Sequence, residues 1–106
     1  MKNLFKLFIA ASLVSFATQS LADANAGEAV VKKSDCMLCH TVDKLLVGPA
    51  FKDIAAKYKG DKTAEAKLTE KVKKGGGGVW GTNVMLPHPA LSDADLKSAV
   101  EWVLSH

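Results

Sequence analysis

The sequence predicts an all-α domain of about four helices, joined by one long loop that is rich in glycine and proline. No run of four or more residues combines apolar–polar alternation with the β-branched and aromatic residues typical of strands. Four stretches instead repeat apolar residues at helical spacing. With 106 residues, the chain is shorter than an average domain, which excludes a multidomain enzyme.

The first 22 residues have the pattern of a secretory signal peptide. Two lysines accompany an apolar run that extends from Leu7 to Ala17, and small residues at Ser20 and Ala22 precede the expected cleavage point. An apolar run of about 11 residues is too short to cross a bilayer, which needs about 20. We predict cleavage after Ala22, with Ala24 as the alternative site. An uncleaved membrane anchor is the alternative interpretation of the segment.

Removal of residues 1–22 leaves 84 residues, 23–106, that carry almost no net charge. All 14 basic residues are lysines, and two of them leave with the signal, so the formal net charge falls from +3 to +1. This charge, together with the lack of the bidentate arginine fork, disfavours nucleic acid as a partner. The apolar side chains of 23–106 are few and often alanine. A bound group is therefore expected to complete the core.

The first two predicted helices lie on either side of the only cysteines. The first extends over about residues 24–33 and ends before them. The second begins at Pro49, a favourable residue in a first helical turn, and ends at Gly60. Its apolar residues recur at i, i+3, i+4 and i+7, at Phe51, Ile54, Ala55 and Tyr58.

The last two predicted helices lie on either side of the glycine- and proline-rich loop. The third extends over about residues 63–74, contains the favourable i,i+4 pair Glu70 and Lys74, and ends at four consecutive glycines. The fourth follows Ser92, a good N-cap with acidic residues after it. The loop between them, residues 75–91, is either flexible or held by something it contacts. Long loops of this kind are often functional.

Both cysteines lie in the pentapeptide Cys36-Met37-Leu38-Cys39-His40. In an exported chain, the spacing Cys-x-x-Cys-His is typical of c-type haem attachment. Two thiols three positions apart on a helical turn are placed to join the two vinyl groups of one haem. The adjacent imidazole of His40 is then placed to bind the iron.

Three other uses of the cysteines compete with haem. A disulfide between Cys36 and Cys39 closes only a short loop and leaves His40 unexplained. A thioredoxin-like dithiol requires an α/β context that the sequence does not predict. A zinc site requires four ligands, and outside the motif the only other histidines are His88 and His106. One covalently attached haem c accounts for the whole motif.

The second axial ligand of the iron is expected from the loop of residues 75–91. Met37 lies inside the attachment motif on the proximal side, and Met1 belongs to the predicted signal, so Met85 is the methionine candidate. Core packing is a weaker explanation for Met85, because the residue is not on a predicted helix. His88 is the alternative ligand and would give bis-histidine iron. His106 is expected to be exposed to solvent.

Several stretches together resemble the small bacterial class I cytochromes c of the c-551 type, which are periplasmic monohaem electron carriers. The resemblance covers nearly all of residues 23–106. It implies a class I cytochrome c fold, with about four helices and the glycine- and proline-rich loop wrapped around one covalently attached haem. The stretches are Cys36-Met37-Leu38-Cys39-His40, Val47-Gly48-Pro49-Ala50-Phe51-Lys52-Asp53, Gly78-Val79-Trp80-Gly81, Met85-Leu86-Pro87 and Trp102-Val103-Leu104-Ser105.

The resemblance also implies a role for particular residues. Cys36 and Cys39 would form the thioethers, and His40 and Met85 would be the axial ligands. The carbonyl of Pro49 would accept the His40 ring N–H and orient the imidazole.

Other implied roles and departures lie farther from the iron. Trp80 would lie near a haem propionate, and the first and last helices would cross, with Gly27 allowing close approach near Trp102. The family often has proline immediately before the methionine and twice after it. Here Val84 and Leu86 replace two of those prolines, which leaves the reduction potential open.

The predicted ligation indicates an electron carrier and not an enzyme. Histidine and methionine ligation raises the reduction potential of the iron and leaves no coordination site for a substrate. A small haem peroxidase or a gas sensor would require Met85 to leave the iron, and a subunit of a larger haem enzyme is a third alternative.

The resemblance implies a periplasmic monomer that docks transiently with a cytochrome bc1-type donor and with a terminal oxidase or nitrite reductase as acceptor. Lysines near the haem edge are expected to steer docking to acidic partners. The candidates are Lys32, Lys33, Lys44, Lys52, Lys57, Lys59, Lys73 and Lys74.

Overall fold

Four α-helices and one short 3-10 turn form the described part of the chain, residues 19–106 of a computed structural model. The helices are α1 (Gln19–Lys33), α2 (Phe51–Lys57), α3 (Ala64–Lys74) and α4 (Asp93–Leu104), with the 3-10 turn at Asp35–Leu38. Within residues 19–106 the extended pairing is limited to an isolated antiparallel bridge, Gly76 with Met85. The all-α prediction is therefore confirmed. None of the described helices is long and apolar enough to span a membrane.

Two helix starts differ from the predicted ones. α1 begins at Gln19, so the predicted cleavage point after Ala22 falls within this helix; most of the predicted signal peptide lies outside the described residues. The prediction that α2 begins at Pro49 is wrong. Ala50 is the N-cap in an extended conformation, and the first helical residue is Phe51.

The start of α2 is set by the segment that follows the haem-attachment motif. The N–H groups of Phe51 and Lys52 donate to the carbonyls of Thr41 and Val42, at 2.9 and 3.1 Å. These bonds satisfy donors that the first helical turn leaves unpaired. Because Pro49 lies before this turn, its own carbonyl is available to another partner.

The starts of α3 and α4 agree with the sequence. α3 begins one residue after the predicted position, and the side chain of Asp61 accepts from the N–H of Thr63 just before it, at 2.8 Å. Ser92 caps α4 as predicted, because its hydroxyl accepts from the N–H of Asp95 at 3.1 Å.

The core lies where α1 crosses α4, and α2 packs against α4. Val30 and Val31 from α1 and Leu96 and Val100 from α4 are buried. A methyl group at Gly27 would collide with the carbonyl oxygen of Ser98 and lie 2.6 Å from Cβ of Trp102. The two helix backbones therefore approach as closely as a glycine permits, which confirms the predicted crossing.

Replacement Gly27→Ala is expected to lower the free energy of unfolding by about 2 kcal/mol. Overpacking against backbone atoms costs up to about 3 kcal/mol, whereas the higher helix propensity of alanine returns only about 1 kcal/mol. Urea unfolding of the haem-loaded protein measures the difference. The control is Ala26→Gly on the exposed side of the same helix, which isolates the propensity contribution. A more stable Gly27→Ala protein would show that the helices are not in contact here.

The loop of residues 75–91 is held in place by contacts along its length. Gly76 and Met85 exchange two backbone hydrogen bonds of 3.0 and 2.9 Å. The N–H of His88 donates to the carbonyls of Val72 and Lys73 at the end of α3. Of the two alternatives left by the sequence, the structure supports a loop fixed by its neighbours.

Candidate haem site

The two cysteines lie on and just after the 3-10 turn that follows α1. The carbonyl of Cys36 accepts from the N–H groups of Cys39 and His40, at 3.2 and 2.9 Å, and both thiols are free and half-buried. Burial raises the pKa of the Cys36 thiol, and the charges of Asp35 and Cys39 act in the same direction, whereas a backbone hydrogen bond opposes them. A redox-active dithiol requires the opposite shift. The dithiol interpretation is therefore disfavoured.

His40 is buried, and its ring has a defined tautomer. Only 9% of the residue is exposed, and Nδ1 lies 2.7 Å from the carbonyl oxygen of Pro49. Because a carbonyl only accepts, Nδ1 carries the proton and donates it. Nε2 is left with a lone pair, which is the state in which an imidazole binds a metal.

Gly48 packs against the face of the His40 ring, a role that the sequence did not reveal. A Cβ at Gly48 would lie 2.5 Å from Cε1 and 2.9 Å from both ring nitrogens. The distances from this Cβ to the two nitrogens are equal and only slightly longer than its distance to Cε1. The Cβ position therefore lies above the ring plane and not beside the ring edge. The N–H of Gly48 also donates to the carbonyl of Cys39 at 2.7 Å. The backbone at Gly48 thus fixes the ring plane.

Replacement Gly48→Ala is expected to displace the His40 ring and lower the stability by about 2–3 kcal/mol. The added methyl group meets ring atoms and not a flexible chain end, so the ring must tilt away from Pro49. Urea unfolding measures the loss, and the NMR signal of the His40 Nδ1–H reports the hydrogen bond. Gly60→Ala is the control for the NMR signal: nothing lies within 4 Å of that position, so the Nδ1–H signal should not shift, although the positive φ of +79° makes this replacement destabilising as well. An unshifted Nδ1–H signal in Gly48→Ala would contradict the packing.

Phe51 provides a second packing contact to the ring of His40. The two ring centroids are 5.3 Å apart and the planes differ by 20°, which is a stacked arrangement. Phe51 is buried, with 3% of its surface exposed. The sequence assigned Phe51 only to the apolar face of α2. Its contact with His40 depends on the packing of α2 beside the attachment motif.

The segment that contains Met85 is hydrogen-bonded to the segment that packs against the His40 ring. The side chain of Asn83 donates to the carbonyl of Val47 at 3.0 Å, and Val47 immediately precedes Gly48. Met85 is half-buried, two residues after Asn83. His88 is also half-buried, and its Nδ1 is enclosed without a hydrogen-bond partner among the described residues. The two predicted axial ligands thus lie on segments that are directly joined.

Two lysines contact different parts of the glycine-rich loop, one at Trp80 and the other at Gly76. Trp80 is 43% exposed, and Nζ of Lys57 lies 5.5 Å from the centroid of its ring, within the range of a cation–π contact. Lys71 is the one half-buried lysine among residues 25–106, and a Cβ at Gly76 would lie 3.0 Å from its Nζ. Lys57 was one of the docking candidates predicted from the sequence, whereas Lys71 was assigned no role there.

Large apolar side chains are exposed in the attachment motif and in two nearby loops. Nine of them have between 41% and 74% of their surface exposed: Met37, Leu38, Leu45, Leu46, Val47, Val79, Trp80, Val84 and Leu86. Apolar exposure on this scale marks a surface that binds an apolar partner or ligand. A haem suits this surface, because it is a large apolar ring system.

The available donor atoms also suit a haem. Among residues 19–106, no three His, Cys, Asp or Glu side chains are grouped to hold a bare metal ion. A porphyrin-bound iron needs only two axial ligands from the protein, such as a histidine and a methionine. The residues present therefore fit a haem better than a zinc ion.

Comparison with known proteins settles the family. The sequence model of the family described as cytochrome c matches residues 24–106. The chain belongs to the cytochrome c family. It is 42% identical to cytochrome c-551 of Allochromatium vinosum, over 91% of this chain and 98% of that protein. It is also 42% identical to cytochrome c-552 of Nitrosomonas europaea, over 99% of this chain and 98% of that protein.

Solved structures of cytochromes c have the same fold. The crystal structure of wild-type Nitrosomonas europaea cytochrome c552 matches with a TM-score of 0.70 and 45% identity, over 74% of this chain and 96% of that one. Class 1 cytochrome MtoD from Sideroxydans lithotrophicus ES-1 matches with a TM-score of 0.66 and 33% identity, over 78% of this chain and 95% of that one. The predictions of a small class I cytochrome c fold and of one covalently bound haem c are therefore confirmed.

Proposed function

We propose that this chain carries single electrons between redox proteins, with a haem iron bound by His40 and Met85 and a porphyrin joined to Cys36 and Cys39. The observation that carries the proposal is the fixed imidazole of His40, directly after the two cysteines. Its Nδ1–H is held by Pro49 and its plane by Gly48. The similarity to cytochromes c-551 and c-552 supports the same function.

The haem would supply a one-electron Fe(II)/Fe(III) couple. The Pro49 carbonyl keeps the proton on Nδ1 of His40 and so keeps Nε2 free to bind iron. The bridge between Gly76 and Met85 holds the loop that presents the methionine. A methionine in the sixth position raises the reduction potential and excludes substrates from the iron. An electron carrier, and not an enzyme, is the function that this arrangement favours.

Lys71 and Trp80 are proposed to bind a haem propionate. Lys71 is half-buried beside Gly76 and is in no ion pair with any residue of 25–106, so its ammonium is available to an anionic partner. The indole N–H of Trp80, on the loop that follows α3, is a second donor. Lys57, which lies over the Trp80 ring, would position it from α2.

Docking to acidic redox proteins is proposed to use fewer lysines than the sequence suggested. Three of the eight candidates are in surface ion pairs: Lys32 with Glu28, Lys73 with Asp93 and Lys74 with Glu70. At a net charge of +1 for residues 23–106, electrostatic steering is expected to be modest and to weaken with salt. We retain a cytochrome bc1-type donor and a terminal oxidase or nitrite reductase acceptor as the proposed partners of a monomer.

A periplasmic location, after removal of residues 1–22, is part of the proposal. The two lysines and the apolar run of residues 1–22, and the similarity to bacterial cytochromes c-551 and c-552, support this location. N-terminal sequencing of the exported protein tests the cleavage point.

A redox titration combined with partner kinetics tests the function. The haem-loaded protein is expected to show one reversible one-electron transition and to be reoxidised by an oxidase or a nitrite reductase. The rate should fall moderately as ionic strength rises. The proposal would be overturned by an irreversible transition, or by reoxidation that neither enzyme accelerates.

A further inference from the structure

Four aromatic rings form a continuous series from the predicted iron ligand to the surface. The ring centroids are 5.3 Å apart for His40 and Phe51, 5.5 Å for Phe51 and Trp102, and 4.4 Å for Trp102 and His106, and Phe51 also approaches His106 directly at 6.4 Å. Each distance lies at or close to the range in which aromatic rings touch. We call His40, Phe51, Trp102 and His106 the aromatic series.

The outer end of the aromatic series is accessible and held in place. His106 is exposed, and its Nδ1 lies 2.9 Å from the carbonyl oxygen of Trp102, to which it donates. Nε2 of His106 makes no hydrogen bond to another residue of the described range. The ring is thus anchored through one nitrogen, which leaves the other for solvent or a partner.

The surface around His106 carries positive charge. A groove between α2 and the end of α4 is lined by Lys52, Lys59 and Lys62 together with Leu104 and His106. None of these three lysines is in an ion pair with another described residue, whereas Asp61 in the same groove is paired with Lys67. Glu65 is the remaining acidic group along the groove. An acidic protein surface is the complementary partner.

We propose that the aromatic series conducts electrons between the haem iron and the surface at His106, which is a second docking surface for an acidic redox protein. The proposal rests on the proposed function, because it requires the iron to be bound to His40. One electron leaves the reduced iron and enters the oxidised centre of the partner. No bond forms or breaks and no proton moves, since the rings serve only as a tunnelling medium.

The packing of the aromatic series favours this route over the surrounding apolar core. Tunnelling weakens less across contacting π-systems than across saturated side chains separated by gaps. Phe51 is buried and contacts both His40 and Trp102, so the series contains no solvent-filled step. The first ring is also the one whose orientation Pro49 and Gly48 fix.

Flash photolysis with a ruthenium polypyridyl label on Nε2 of His106 tests conduction. The photo-oxidised ruthenium removes one electron from the reduced iron, and the rate is followed at the haem. Trp102→Leu is expected to slow this transfer severalfold, because the direct 6.4 Å approach of Phe51 to His106 remains. Trp102→Phe, which keeps an aromatic ring, is expected to restore most of the rate. The control carries the label at Lys44→His in a His106→Gln background. An electron that passes between the iron and this label, on the loop after His40, does not cross Trp102.

The outcomes separate this proposal from the proposed function. If Trp102→Leu slows transfer only from the label at His106, the aromatic series conducts. If both labels are slowed equally, or neither is, the proposal is overturned although the iron still exchanges electrons. If neither label receives an electron in the wild-type protein, the proposed function itself fails. Should Trp102→Leu not fold, an unchanged rate in a folded Trp102→Phe, Phe51→Leu double variant would overturn conduction.

Oxidation by an acidic blue-copper protein tests the docking surface. Lys62→Glu is expected to react about threefold more slowly than Lys97→Glu. Each variant reverses one charge, and Lys97 lies on α4 and does not line the groove. Equal rates for the two variants would show that the groove at His106 is not used.

Discussion

A chain in which Cys36 and Cys39 are both replaced by serine, expressed without haem attachment, is expected to be largely unfolded. The buried apolar side chains among the described residues number only ten, and four of them are alanines. Small domains with so little buried surface rarely fold without a disulfide, a metal or another bound group. The nine large apolar side chains that remain exposed without haem point to the same conclusion.

Far-ultraviolet circular dichroism during urea and thermal unfolding measures this effect. The haem-loaded wild-type protein should unfold in one cooperative transition, whereas the double variant should show low helicity and no transition. Single replacements of either cysteine are intermediate controls, because one thioether still tethers the haem. Cooperative unfolding of the haem-free double variant, with native helicity, would contradict the prediction.

Replacement Met85→Ala is expected to open the iron to external ligands. Loss of the thioether sulfur should abolish the weak iron–sulfur charge-transfer band near the red end of the spectrum and lower the reduction potential. Val84→Ala, one residue away and 67% exposed in the structure, is the matched control and should keep the band. Persistence of the band in Met85→Ala would contradict the assignment of Met85 as an iron ligand.

The spectrum of Met85→Ala depends on whether His88 takes the place of the lost sulfur ligand. His88 lies three residues after Met85, and its enclosed Nδ1 has no hydrogen-bond partner among residues 19–106. If it replaced the lost sulfur, Met85→Ala would have a bis-histidine spectrum and would not bind carbon monoxide. The double variant Met85→Ala, His88→Gln should then bind it. This comparison separates a methionine-ligated iron from the alternative that the sequence left open.

The helices were predictable because they depend on local patterns, whereas the residues at which they begin were predicted less accurately. Ser92 caps α4 as its sequence context indicates. α2 was placed two residues too early because proline is favourable in a first turn, whereas here the carbonyl of Pro49 binds His40. α1 is described from Gln19, five residues before the predicted start, and residues 19–22 belong to the segment predicted to be cleaved.

The site was predictable where residues are adjacent in sequence or where the family resemblance supplied the contact. The motif from Cys36 to His40 indicated haem, and the resemblance supplied the bond to Pro49. The contacts of His40 with Gly48 and Phe51 were not foreseen. They depend on how the loop after His40 folds back beneath the ring, and no periodicity in the sequence encodes that geometry.

The sequence also did not predict that Lys71 is half-buried. In the sequence it is one of three lysines within four residues at the end of a helix, which is the pattern of a solvated surface. Only the fold shows that its amine lies against the glycine loop at Gly76. Its partial burial depends on how the loop folds back after the end of α3, which the charge pattern does not indicate.

Addition of carbon monoxide to the reduced wild-type protein at neutral pH tests the central claim most directly. If His40 and Met85 both bind the iron within the loop held by Gly76 and Asn83, the visible spectrum should not change. Rapid, stoichiometric binding of carbon monoxide would show a vacant coordination position. The electron-carrier account would then give way to a gas-binding or catalytic haem.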